Sequence, residues 1–78
     1  MSSGNRVPRD QFINKLRELG YGYKRSGKNH DIWKKNGGTH RVTVPRSATF
    51  AEIYVRSTLG QIGCDAGEIE DYLKSVCF

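Results

Sequence analysis

The chain has 78 residues, with 13 Lys plus Arg against 8 Asp plus Glu, a net charge of +5. That length holds one domain, residues 1–78, with a single core and one functional face beside it. A hydrophobic content of 36% excludes a disordered tail, and no apolar run approaches the ~20 residues of a membrane span.

Residues 1–7 carry no apolar stretch of the kind a secretion signal needs and are expected to be flexible. With only Cys64 and Cys77 available, no disulfide framework is expected, and the chain is expected in the cytoplasm. From Pro8 to Leu19 the residues Phe12, Ile13, Leu16 and Leu19 recur at helical spacing, with Arg9, Lys15, Arg17 and Glu18 between them. Pro8 suits the first turn of a helix, and Gly20 suits the position just past its end. Tyr21, Tyr23 and Arg25 then alternate with Gly22 and Lys24 as in a strand, and Ser26-Gly27-Lys28-Asn29 reads as a turn. His30 to Lys35 forms a second strand, and Asn36-Gly37-Gly38 is a hairpin signal, because Asn and Gly tolerate positive φ. Thr39 to Val44 alternates cleanly until Pro45 stops it. Thr49-Phe50-Ala51-Glu52 has the spacing of a capping box, with Ala51, Val55, Leu59 and Ile62 as the stripe of the helix behind it and Gly63 at its end. Asp65-Ala66-Gly67-Glu68 repeats that spacing ahead of a last short helix, whose apolar face is Ile69, Tyr72, Leu73 and Val76.

The expected order is α-β-β-β-α with a short extra C-terminal helix, an α+β class. Each helix has one apolar stripe and the sheet has two faces. The economical packing puts the helices on one face of a three-stranded antiparallel sheet and leaves the other open. Such an architecture is like a double-stranded-RNA-binding domain.

Charge is unevenly placed along this plan. Residues 1–47 hold 11 basic and 3 acidic side chains, and residues 48–78 hold 2 basic and 5 acidic. A basic front and an acidic back fit a polyanionic partner at one face, although a basic surface also serves solubility alone. His30 opens the second strand among Lys24, Arg25, Lys28, Lys34 and Lys35. Imidazole titrates near neutrality and can take a proton from a hydroxyl, while flanking cations hold a phosphate and offset charge building on it. In RNA the ribose 2′-OH adjoins that phosphate, so removing its proton lets it attack phosphorus and cut the chain. The plain alternative is a polar surface histidine. Lys28, Lys34, Lys35, Arg41 and Arg46 are the candidate phosphate contacts, each also a fitting solvated surface charge. Tyr21, Tyr23 and Trp33 could stack on bases. Ile32 and Trp33 point to opposite faces, so one of the two lies outside the helix-packed core. His40 is in phase with Val42 and Val44, toward the packed side, where a hydrogen-bonded structural role or a second acid is open to it. Neither the two Cys nor the two His have metal-ligand spacing, and no Ser-centred elbow, P-loop or dinucleotide fingerprint is present, so no metal or cofactor is expected.

Four stretches in order resemble the HicA family of toxin–antitoxin toxins, over about Arg9 to Leu73. The first helix ends in Leu19-Gly20-Tyr21, similar to the family's Leu-Gly-aromatic. Lys28-Asn29-His30-Asp31-Ile32-Trp33 is similar to its Gly-Ser-His-x-Ile-aromatic strand. Gly38-Thr39-His40-Arg41-Val42-Thr43-Val44-Pro45 is similar to its third strand, which ends in Val-Pro. Val55-Arg56-Ser57-Thr58-Leu59-Gly60-Gln61-Ile62-Gly63 is similar to its Leu-Arg-Ser-Ile-Leu-Lys-Gln-Ala-Gly helix. The resemblance implies a fold like the double-stranded-RNA-binding domain and a metal-independent endoribonuclease (an mRNA interferase). It implies His30 at the catalytic position and a HicB-type antitoxin covering that site. One departure is Lys28, which stands where the family usually has Gly. The expected activity is therefore RNA cleavage with His30 as general base. The general acid is left open among water, His40 and a Tyr. The rival reading is a non-catalytic RNA-binding module of the same shape, and a weaker third is a domain whose basic face docks an acidic partner.

Overall fold

The computed structural model describes residues 6–76, in the order β1 (Arg6–Pro8), α1 (Arg9–Glu18), β2 (Tyr21–Ser26), β3 (His30–Lys35), β4 (Arg41–Pro45), β5 (Thr49–Ala51), α2 (Glu52–Ile62) and α3 (Ala66–Val76). Strands β2, β3 and β4 form the expected three-stranded antiparallel meander, and β1 pairs with β5 in a separate antiparallel ribbon. The architecture is a small α+β fold with three helices.

The alternation along the meander decides which face is buried. Tyr21, Trp33, Val42 and Val44 are buried and share one face. They join Phe12 and Leu16 of α1, Val55 and Leu59 of α2, and Ile69 and Leu73 of α3 in one core. Trp33 is thus the core partner of the Ile32–Trp33 pair, and Ile32 lies on the opposite face. That face carries Gly22, Arg25, His30, Ile32, Lys34, Arg41, Thr43 and Pro45, and no carboxylate.

Two expectations fail near the ribbon. Arg6 and Val7 were expected in a flexible segment over 1–7, but they form β1, and Val7 is fully buried opposite Phe50. The rest of that segment, residues 1–5, lies outside the described residues. Thr49 was expected to cap α2, but it belongs to β5, and its hydroxyl accepts a hydrogen bond from Arg6 Nε at 3.0 Å. Ala51 is the cap residue, its backbone extended through a ψ of 144°, with no side-chain cap bond. The reason is packing. Burying Phe50 with Val7, and edge-on against Phe12 at 5.2 Å between ring centroids, requires an extended backbone at 49–51, which outweighs one capping bond. The second capping signal does form, since Asp65 Oδ1 accepts from Glu68 N at 2.8 Å. Gly20 and Gly63 hold positive φ just past α1 and at the end of α2, the left-handed conformation a side chain resists. No helix among the described residues is long and apolar enough to cross a membrane.

Candidate functional site

His30 begins β3 on the open face, opposite Pro45. It is exposed, and among the described residues its imidazole makes no hydrogen bond or ion pair. The turn before it is closed by Gly27 N donating to His30 O at 2.6 Å, which leaves Lys28 and Asn29 exposed at its tip. The imidazole and the Lys28 ammonium therefore stand at the same end of the sheet, both open to solvent.

The support for this end comes from the other face. Asp31 points toward the helices and receives Arg9 Nη2 at 2.9 Å and Arg46 Nε at 3.2 Å. Arg9 Nη1 also donates to Pro45 O at 2.6 Å, and Arg9 N donates to Ala48 O at 2.9 Å. Arg46 Nη2 donates to Gly27 O at 2.8 Å. One carboxylate and two guanidinium groups thus join the start of α1, the β2–β3 turn and the loop after β4. Charge-assisted bonds of this kind are the strong ones. Sequence reasoning missed Arg9 and Asp31. The only local signal was an acid directly after His30, and Arg9 is 22 positions away in sequence.

The five expected phosphate contacts are not gathered in one place. Lys28 and Arg46 lie at the His30 end, and the Arg46 guanidinium is engaged with Asp31 and Gly27. Lys34 shares the open face with His30 but lies four residues along β3, roughly 13 Å away. Arg41 is its cross-strand neighbour. Lys35 faces the other way, and its ammonium donates to Leu19 O at 2.7 Å over the Tyr21 ring.

His40 is at the far end too. Its carbonyl accepts from Lys35 N at 2.9 Å, which sets it five residues from His30 along β3, roughly 16 Å. Its Nδ1 lies 2.6 Å from the Tyr21 hydroxyl. A single scissile phosphate cannot reach both rings, so the option of His40 as the second acid falls. Tyr21 is buried, and desolvation pushes its phenol above the ordinary value. Tyr23 is exposed beside Trp33, with ring centroids 6.0 Å apart, and presents an aromatic surface at the edge of β2. Trp33 itself is buried and unavailable for stacking. Among the described residues, no group of three His, Cys, Asp or Glu converges on one point. Compared with known proteins, the chain matches no family model, no curated protein and no solved structure.

Proposed function

We propose that the chain is a HicA-type toxin, with a fold like the double-stranded-RNA-binding domain, that cleaves RNA without a metal. The single observation that carries this reading is an exposed imidazole on a sheet face that bears cations and no carboxylate, with Lys28 exposed in the turn that leads into it. His30 takes the proton of a ribose 2′-OH, and the freed oxygen attacks the adjacent phosphorus. The bond from phosphorus to the 5′-oxygen breaks, leaving a 2′,3′-cyclic phosphate on one fragment. The departing oxygen takes a proton from water and becomes the 5′-hydroxyl of the other. Lys28 offsets charge on the phosphoryl oxygens as the transition state forms. A HicB-type antitoxin with an acidic surface would cover the His30 end and exclude RNA.

Purified protein incubated with RNA and a chelator tests the reading. Cyclic-phosphate ends are expected, and they are lost in His30→Ala, which should fold as the wild type does, because the side chain is exposed and outside the core. Positioned proton transfer is worth ~10²–10⁴-fold, so the loss is easily measured. A folded His30→Ala protein that cuts at the wild-type rate would refute the assignment. A second reading, a non-catalytic RNA-binding module, is favoured by one observation: no second histidine lies near His30. It predicts RNA that is retarded, intact and released by salt.

A further inference from the structure

We propose that the open face carries a second phosphate subsite at the end opposite His30, so that the RNA lies along β3 and is held at two points. This rests on the reading of the partner as RNA. Four observations support the subsite.

A cleft of about 210 Å³ opens there, between Gly22, Lys24, Lys34 and Asn36. Gly22 pairs with Lys34, so its missing side chain would have pointed to the open face. A Cβ built there would lie 3.2 Å from Asn36 Oδ1. The Asn36 amide therefore stands over bare backbone, and the missing side chain at Gly22 is what lets it lie there at the wall of the cleft. Asn36 offers an amide donor that suits a phosphoryl oxygen.

The charges at this end of the open face are unbalanced, with Lys24 and Lys34 in the cleft and Arg41 across the strand from Lys34. Lys34 and Arg41 are direct cross-strand partners, a like-charge pair that destabilises a sheet unless something neutralises it. Among the described residues neither is paired with a carboxylate, and neither is Lys24. Lys35 also lines the cleft, but its ammonium is engaged by Leu19 O and lies over the Tyr21 ring. An anion at this end would relieve the Lys34–Arg41 repulsion and accept a hydrogen bond from Asn36.

The spacing makes the ligand a chain rather than a lone ion. His30 and Lys34 share one face, roughly 13 Å apart. That exceeds one nucleotide step, so a dinucleotide at His30 cannot reach the cleft and a longer strand can. Between them lie Ile32 and Thr43, an uncharged stretch against which a base can rest, with Arg25 across from Ile32 on the β2 side.

Binding of 2′-O-methyl oligonucleotides, which the chemistry above cannot cleave, isolates the subsite from catalysis. Anisotropy on the full chain is expected to show a marked gain in affinity from dinucleotide to hexanucleotide. Lys34→Gln should lower the salt slope for the hexanucleotide by about one and weaken its binding about tenfold, with little effect on the dinucleotide. Gly22→Ala should weaken the hexanucleotide without any change in charge, because its new methyl crowds Asn36. Hexanucleotide binding that neither variant alters would overturn the subsite while leaving the RNA reading intact. If wild-type protein binds no oligonucleotide at all, the RNA reading fails. Titration with inorganic phosphate then decides the subsite alone: amide shifts at Gly22, Lys34 and Asn36 support it, and their absence overturns it.

Discussion

Replacing Asp31 by Ala tests whether the His30 end is held by its charge network. The Asp31 side chain is 16% exposed, and its partners Arg9 and Arg46 are 30% and 46% exposed. A hydrogen bond to a charged group contributes about 1.5–3 kcal/mol when buried. The Arg9 bond sits at the low end of that range because the guanidinium is partly wet. The Arg46 bond is nearer to a surface pair, roughly 0–1 kcal/mol. Together they give a loss of about 2 kcal/mol, and among the described residues the Arg9 guanidinium is left with the Pro45 carbonyl as its one hydrogen-bond acceptor, above the Phe50 ring. For a domain of this size each kcal/mol moves the melting temperature by about 4–8 °C, so Asp31→Ala should melt roughly 8–16 °C lower. Thermal unfolding followed by circular dichroism at moderate salt reads this directly. A cycle with Arg9→Ala should show a coupling of about 1 kcal/mol, because the two side chains share a bond. A variant melting within about 2 °C of the wild type would refute the network as a structural tie. A full loss of stability with no coupling to Arg9 would refute the assignment of the loss to that pair.

Two further outcomes test other parts of the structure. Val7→Ala removes two fully buried methyl groups, at about 0.8 kcal/mol each plus a cavity contribution, so the urea midpoint should fall by the equivalent of about 2 kcal/mol. An unchanged midpoint would mean that β1 contributes nothing to the fold. Burial, then the Glu68 carboxylate, push the Cys64 thiol above its ordinary value, with Lys15 partly opposing. In a Cys77→Ser background, iodoacetamide should alkylate Cys64 more slowly in the folded protein than in urea at pH 8. The raised value also means that this thiol's contribution to stability is present below the ordinary thiol value and is lost as pH rises through the folded one. Equal rates in folded and unfolded protein would contradict the partial burial of the thiol.

Much of the local plan was legible in the sequence. The helix over Arg9–Glu18, the three strands, the Gly20 and Gly63 stops and the Asp65 cap are all written in short-range spacing and turn chemistry. These signals act between residues a few positions apart, and one sequence carries them whole. The exposed His30 at a strand start was readable for the same reason. Only the tertiary structure decided the β1–β5 ribbon, because the pairing of Val7 with Phe50 joins positions 43 residues apart, and their mutual burial overrode a good capping motif at Thr49. It also separated the lysines. Neighbours in sequence such as Lys34 and Lys35 take opposite faces of a pleated strand, so a basic run is not a basic patch. The Arg9–Asp31–Arg46 tie, and the distance from His30 to His40, follow from strand register, which is set by which face the core needs.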